Sequence, residues 1–122
     1  MKEFIFPKDF LWGASTAAHQ VEGNNINSES WVLEHLPGTI YAEPSGDEID
    51  HYHRYPEDIA LLAELGFNAY RFSIEWARIE PEESEFSYAE LEHYRRMLVA
   101  CHEHGIKPMV TFHLFFPALV DA

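Results

Sequence analysis

Apolar positions fall into short blocks with two different periods. Phe10 to Ser15, "FLWGAS", is a brief apolar run that reads as a strand, and "TAAHQVEG" leaves it as a loop or short helical turn. Residues 24–48 lose all periodicity and are rich in Asn, Ser, Gly and Pro, with Trp31 and Val32 as isolated apolar anchors. This predicts a long ordered loop, and a loop of that length inside a compact domain tends to be functional. Two similar units follow. Pro56 can open a helix, with Glu57 and Asp58 favourable in the first turn. Ile59, Leu61, Leu62 and Leu65 give that helix an apolar face, and Gly66 stops it. "FNAYRFSIEW", residues 67–76, then reads as a strand because aromatic and β-branched residues dominate it. In the second unit Ser87 and Glu90 form a capping box. Leu91, Tyr94, Met97, Leu98 and Cys101 continue at helical spacing, Gly105 is the stop, and "KPMVTFH" is the strand.

The predicted order is therefore strand, loop, helix, strand, helix, strand. Strands joined through helices are parallel and connected right-handedly. The class is α/β. The 39-residue spacing from Gly66 to Gly105 suits a doubly wound sheet or a (β/α) barrel. A barrel needs eight such units and about 250 residues, so a chain of 122 residues supplies about its first three strands.

Composition narrows the class of partner. Apolar residues make up 47% of the chain, enough for a packed core, and the net charge is −13. Nucleic acid and anionic membrane both require a basic face, so neither is expected. Cys101 is the single cysteine, which leaves no intrachain disulfide or multi-cysteine metal site. The N-terminus "MKEFIFPKDF" does not read as a signal peptide, and no apolar run approaches membrane-spanning length. A cytoplasmic location is expected.

In parallel α/β folds ligands gather at the C-terminal ends of strands. That rule selects His19, Gln20 and Glu22 after the first strand, Arg71, Ser73, Glu75 and Trp76 around the second, and His113 at the end of the third. Arg71 poses the sharpest question. A parallel strand is expected to be covered on both faces, and a buried guanidinium cannot escape its cost by deprotonation. Glu75 lies about 13 Å further along an extended chain, too far for a direct pair. Two readings stand: a structural salt bridge to another segment, or a charge that orients a catalytic carboxylate and lowers its pKa. "DHYH" (Asp50, His51, His53) lacks a third metal ligand and is expected to pack and hydrogen-bond beneath the loop. "CHEH" (His102, His104) suits the negative end of a helix dipole. Asn68 and Ser73 are expected to hold backbone near the strand, and Trp31 to anchor the long loop.

The segments "FLWGASTAAHQVEG", "DHYHRYPEDIALLAELGFNAYRFSIEWARIEP" and "HGIKPMVTFH" resemble the N-terminal third of glycoside hydrolase family 1, the β-glucosidase family. The resemblance runs from about Phe6 to His113 and ends after Phe115. It implies a (β/α)8 barrel that hydrolyses β-linked glucosides or oligosaccharides with retention, using two glutamates about 5–5.5 Å apart. No cofactor or metal is expected. The family's glycone-binding glutamine corresponds to Gln20, and the arginine that contacts the nucleophile corresponds to Arg71. Glu22 and Trp76 are expected to support the pocket floor, with plain core support as the alternative.

The sequence also departs from the family. The acid/base motif Thr-(Phe or Leu)-Asn-Glu-Pro and the nucleophile motif Glu-Asn-Gly do not occur in it. Glu43-Pro44 and Glu80-Pro81 lack the preceding Asn. "TFHLFF" puts Leu114 where the glycone-binding histidine belongs, so His113 is only a secondary substrate-binding candidate. Read one base later, GC-rich codons for Phe-Phe-Pro-Ala-Leu-Val can encode Ser-Ser-Pro-Arg-Trp-Ser, which suggests a frameshifted and truncated β-glucosidase, with a deliberate fragment or a cropped sequence as the other readings. A non-catalytic sugar-binding domain, or a fragment that assembles through open sheet edges, is the alternative.

Overall fold

A computed structural model describes residues 3–112 of the chain. The predicted order of major elements is present. Strand β1 spans Gly13–Thr16. Two short helices follow, α1 (Ala18–Val21) and α2 (Glu29–Glu34), and then the long helix α3 (His51–Glu64). Strand β2 (Ala69–Ser73) leads into a single helical turn, α4 (Trp76–Ile79), and then to helix α5 (Tyr88–Glu103) and strand β3 (Lys107–Thr111). The sheet is parallel in the order β1-β2-β3. Ser15, Arg71 and Met109 lie side by side across it, as do Thr16, Phe72 and Val110.

Alternation along the strands gives the sheet two unlike faces. Tyr70 and Phe72 point toward the helices. They join Ile59, Ile79, Tyr94, Met97, Ala100, Cys101 and Ile106 in one buried cluster. The opposite face carries Ser15, Arg71 and Met109 and is open among the described residues. The expected double coverage of the parallel sheet is therefore half realised. The predicted helix faces are also only half used. Ile59 is fully buried, but Leu61, Leu65 and Leu91 remain between 42% and 65% exposed.

Local boundaries differ from the expectations for identifiable reasons. The helix expected to open at Pro56 begins at His51. Pro56 sits inside it and forfeits the bond its N–H would make to the Tyr52 carbonyl. Tertiary contacts hold the turn before it. His51 Nδ1 bonds Asp58 at 2.7 Å, its Nε2 faces the Tyr70 hydroxyl at 3.3 Å, and Tyr52 stacks on His93 at 3.9 Å. The second strand stops at Ser73 rather than Trp76, because Glu75 turns its carboxylate back to cap α4 through the Ala77 N–H. The first strand starts at Gly13. Phe6, Phe10 and Trp12 form an aromatic trio before it, with ring centroids 4.6–4.8 Å apart. Ser87 caps α5 by accepting the Glu90 N–H, whereas the Glu90 carboxylate accepts the Tyr52 hydroxyl at 3.0 Å. Only half of the capping box is therefore closed.

Polar contacts order much of the long loop. Half-buried Trp31 packs at a tilt against His35 just past the end of its helix, and Val32 is exposed. Asn25, Ser28, Ser30 and Glu34 are buried, and Glu34 accepts from Ser45 at 2.7 Å and pairs with buried His19 at 3.1 Å. The loop closes at its base, where Asn24 N–H donates to the Gly46 carbonyl at 2.7 Å and its amide donates to Asp47 at 2.6 Å. Gly23 makes this closure possible. Its φ is +82°, and an added Cβ would lie 2.3 Å from the Asp47 carbonyl oxygen. Gly23→Ala is therefore expected to cost about 2–3 kcal/mol, combining a strained backbone with a backbone clash. A lowered thermal midpoint and faster proteolytic cutting between residues 24 and 46 would show it.

Candidate functional site at the C-terminal ends of the strands

Three polar links bring the ends of β1 and β2 together. Ser73, the last residue of β2, accepts the Ala18 N–H at 2.8 Å in a buried position and so ties α1 to the end of β2. Gln20 lies in α1 with its side chain exposed. Glu22 follows immediately and is 2% exposed. Asn68 works at the other end of β2: its amide accepts the Trp12 N–H and donates to the Phe10 carbonyl, which aligns β1 on its neighbour.

Glu22 is the centre of a buried polar hub. One carboxylate oxygen accepts from Arg78 Nε at 3.1 Å and the other from the Tyr94 hydroxyl at 2.7 Å. The same Tyr94 oxygen accepts the Glu75 N–H at 2.9 Å. Arg78 also donates to Asn25 Oδ1 and to the Gly23 carbonyl, and its guanidinium lies 4.3 Å above the Tyr52 ring. The carboxylate at the end of α1 is thus held by α4 through Arg78 and by α5 through Tyr94, with α3 packed under Arg78 through Tyr52. Burial pushes the Glu22 carboxyl above its ordinary range, against the opposing pull of Tyr94 and Arg78. Burial also raises Glu75. Glu34 behaves differently, since hydrogen bonds from Ser45 and His19 outweigh its burial and hold it low.

Arg71 is not buried. It projects from the open face of β2, and its Nε donates to Thr111 Oγ1 at 3.0 Å. No carboxylate among the described residues pairs with it. The premise that it needs a local counter-charge is corrected: the face it occupies is exposed to solvent among these residues, which removes the desolvation cost. Glu75, at the N-terminus of α4, is no partner for it.

The remaining sequence candidates divide as follows. Gln20 in α1 and Arg71 on β2 are both exposed. Glu22 and Ser73 are buried, and Glu75 is half-buried. Trp76 is half-buried against the core and donates its indole N–H to Glu80 at 2.8 Å. His19 is buried in its pair with Glu34. His51 is buried between Asp58 and Tyr70, and His53 bonds Asp50 at 2.7 Å on the surface. His104 returns its ring to the Ala100 carbonyl. His113 and Leu114 lie outside the described residues. Sequence reasoning missed Arg78, Tyr94, Asn25 and Thr111. Arg78 carried a usable signal, since "EWARIEP" places a guanidinium between apolar residues just as "AYRFS" does.

No helix among the described residues is long and apolar enough to cross a membrane. The chain is 43% identical over 124 residues to coniferin β-glucosidase of Pinus contorta, covering 95% of this chain and 24% of that protein. It is 42% identical to β-glucosidase A of Acetivibrio thermocellus, covering 93% and 27%. Among solved structures, β-glycosidase BGL167 superposes with a TM-score of 0.90 at 71% identity, covering 93% of this chain and 27% of that one. The family 1 β-glucosidase of Thermotoga maritima gives 0.81 at 37%, covering 93% and 27%. The chain thus spans about a quarter of the length of these relatives, and its three-stranded parallel sheet corresponds to part of their barrel. The sequence profile of glycosyl hydrolase family 1 matches residues 2–121, running past Phe115, where the motifs alone had ended. The chain belongs to glycosyl hydrolase family 1.

Proposed function

We propose that residues 1–122 form one incomplete segment of a retaining β-glucosidase-type barrel and contribute part of its glycone subsite. The observation that supports this reading most strongly is the placement of Gln20 and Arg71. Both are exposed, at or near the C-terminal ends of adjacent parallel strands, in a chain of this family. The Gln20 amide can donate to one sugar hydroxyl and accept from its neighbour. The Arg71 guanidinium can hold a nucleophilic carboxylate ionised and oriented. His113 is a second sugar contact in this reading. Glu22 acts one layer below: its hub fixes the end of α1 and so the position of Gln20. Trp76 supports α4 from the core side.

The acid/base and the nucleophile come from outside these residues, because neither glutamate motif is in the sequence. The purified chain is expected to show no hydrolysis of an aryl β-glucoside, since nucleophilic and general acid/base catalysis are both missing. Turnover by the chain alone would refute this. The positive test is a chimera in which residues 1–112 replace the matching quarter of the 71%-identical β-glycosidase. It is expected to hydrolyse the same substrate, and Arg71→Met is expected to lower kcat/KM by roughly 10²-fold through misplacement of the nucleophile. A folded chimera whose kcat/KM is unchanged by both Arg71→Met and Gln20→Ala would reject the assignment.

A second reading, assembly with a complementary segment, is favoured by one feature. A groove beside β3 is lined by Phe72, Ile79, Leu91, Tyr94, Leu98 and Phe112, and Phe112 is 67% exposed. Apolar surface of this kind beside an open strand edge invites association. Sedimentation velocity decides it, and a single sharp monomer boundary at high concentration counts against assembly.

A further inference from the structure

The contact between Arg71 and Thr111 is diagonal across the sheet. Arg71 is in register with Met109, and Thr111 lies two residues further along β3, opposite Ser73. Diagonal neighbours on one face are within reach of a long side chain. The 3.0 Å bond from Arg71 Nε to Thr111 Oγ1 therefore draws the guanidinium along the sheet toward its C-terminal rim.

The acceptor is rigidly held. The Thr111 carbonyl accepts the Ile74 N–H at 3.1 Å, which continues the ladder beyond the last paired residue. A β-branched side chain has few χ1 choices, so the hydroxyl is fixed with its backbone. A guanidinium presents five N–H donors in one plane. Taking the Nε–H fixes that plane and leaves the two Nη groups. Among the described residues neither Nη makes a hydrogen bond. Two parallel donors from one fork match the two oxygens of a carboxylate.

We propose that Thr111 is a positioning residue for Arg71: its hydroxyl takes the Nε–H and presents both Nη groups at the sheet's C-terminal rim to a carboxylate. That the carboxylate is an enzymatic nucleophile rests on the glycosidase reading, whereas the lock itself does not.

The test uses the 122-residue chain labelled with 15N. Exchange of the Arg71 Nε–H is measured by NMR in the wild type, Thr111→Val and Thr111→Ser. Thr111→Val keeps the shape without the acceptor and is expected to speed exchange about tenfold, the loss of one ordinary hydrogen bond. Thr111→Ser is expected to exchange at the wild-type rate. Titration with sodium acetate, against sodium chloride at equal ionic strength, reads the second half of the proposal. Arg71 signals are expected to respond at lower acetate in the wild type and the Ser variant than in the Val variant. Equal exchange in all three chains overturns the lock. Faster exchange in Thr111→Val with an unchanged acetate response overturns carboxylate presentation. If Thr111→Val does not fold, the wild-type rate against that of free arginine in the same buffer decides the lock. None of these outcomes depends on turnover, so the glycosidase reading stands or falls separately on the chimera.

Discussion

Replacing Arg78 with Met is expected to lower the stability of the fold by about 3–5 kcal/mol, the cost of stranding a buried charge. Glu22 is the charge left behind. Its side chain is 2% exposed, and Arg78 itself is only 18% exposed. Met retains most of the volume but loses the charge over the Tyr52 ring and the hydrogen bonds to Glu22, Asn25 and the Gly23 carbonyl, so the loss is polar and electrostatic. The Glu22 carboxyl already titrates above its normal range because of burial. Without Arg78 it would be pushed higher still and would take up a proton. The substitution should therefore hurt most at neutral and alkaline pH, where holding the proton is costly, and less near pH 5. Adding Glu22→Gln should recover much of the loss, because the amide carries no charge and can still accept from the Tyr94 hydroxyl. Arg71→Met is the contrasting control. That side chain is exposed and unpaired with any described carboxylate, and its loss should stay within about 0.5 kcal/mol. Urea unfolding followed by circular dichroism measures all four chains. Equal midpoints for Arg78→Met and Arg71→Met would contradict the burial assigned to each.

The contrast between these arginines shows what the sequence made legible. A guanidinium within an apolar segment must find an anion if it is buried, and that rule is sound. It was applied to the wrong residue. "AYRFS" and "ARIEP" both set an arginine among apolar neighbours. Choosing between them requires knowing which face of β2 is covered, and that is decided by how α3, α4 and α5 pack. The Gly66 and Gly105 stops, the Ser87 cap and the parallel β-α-β order were readable because they depend on neighbours in sequence. The start of α3 was not. Pro56 gives a strong local signal for a first helical position, but His51 and Tyr52 are held by Asp58, Tyr70 and His93. Tertiary contacts overrode the local preference. The Glu22 hub was half legible. Glu22 itself stands in a recognisable motif, but its partner Tyr94 is 72 residues away and was read as one more apolar position on a helix. The family, by contrast, was legible from its motifs alone, because long ordered strings of residues carry more information than the physical pattern of any one of them.

His93 gives the second large effect, and it concerns acid. Its ring is 2% exposed and stacked on Tyr52, with Tyr55 and Tyr94 edge-on at 5.3 and 5.2 Å. Its Nε2 has no hydrogen-bond partner among the described residues. Burial holds its pKa down to about 4, and the nearby cations of Arg96 and Arg78, with His51 and His53, press the same way. The unfolded chain titrates near 6.5, so between pH 6.5 and 4 the unfolded state binds the extra proton and the native state does not. Stability from this site is therefore complete above pH 6.5 and is lost as pH falls toward 4. At 1.36 kcal/mol per pH unit the loss approaches about 3 kcal/mol. Glu22 and Glu75 act in the opposite sense. Their raised values mean that the native state holds protons longer, so acidification relieves them. The measured slope is the sum of these contributions, and only a variant separates them. His93→Phe keeps the stack on Tyr52 and removes both the titration and the orphaned nitrogen. It should match or exceed the wild type at pH 7, by about 1 kcal/mol for the unmet polar group. It should also lose less stability than the wild type between pH 7 and pH 4, by up to about 3 kcal/mol. Parallel stability-against-pH curves for the two chains would show that His93 is not the group that carries acid sensitivity.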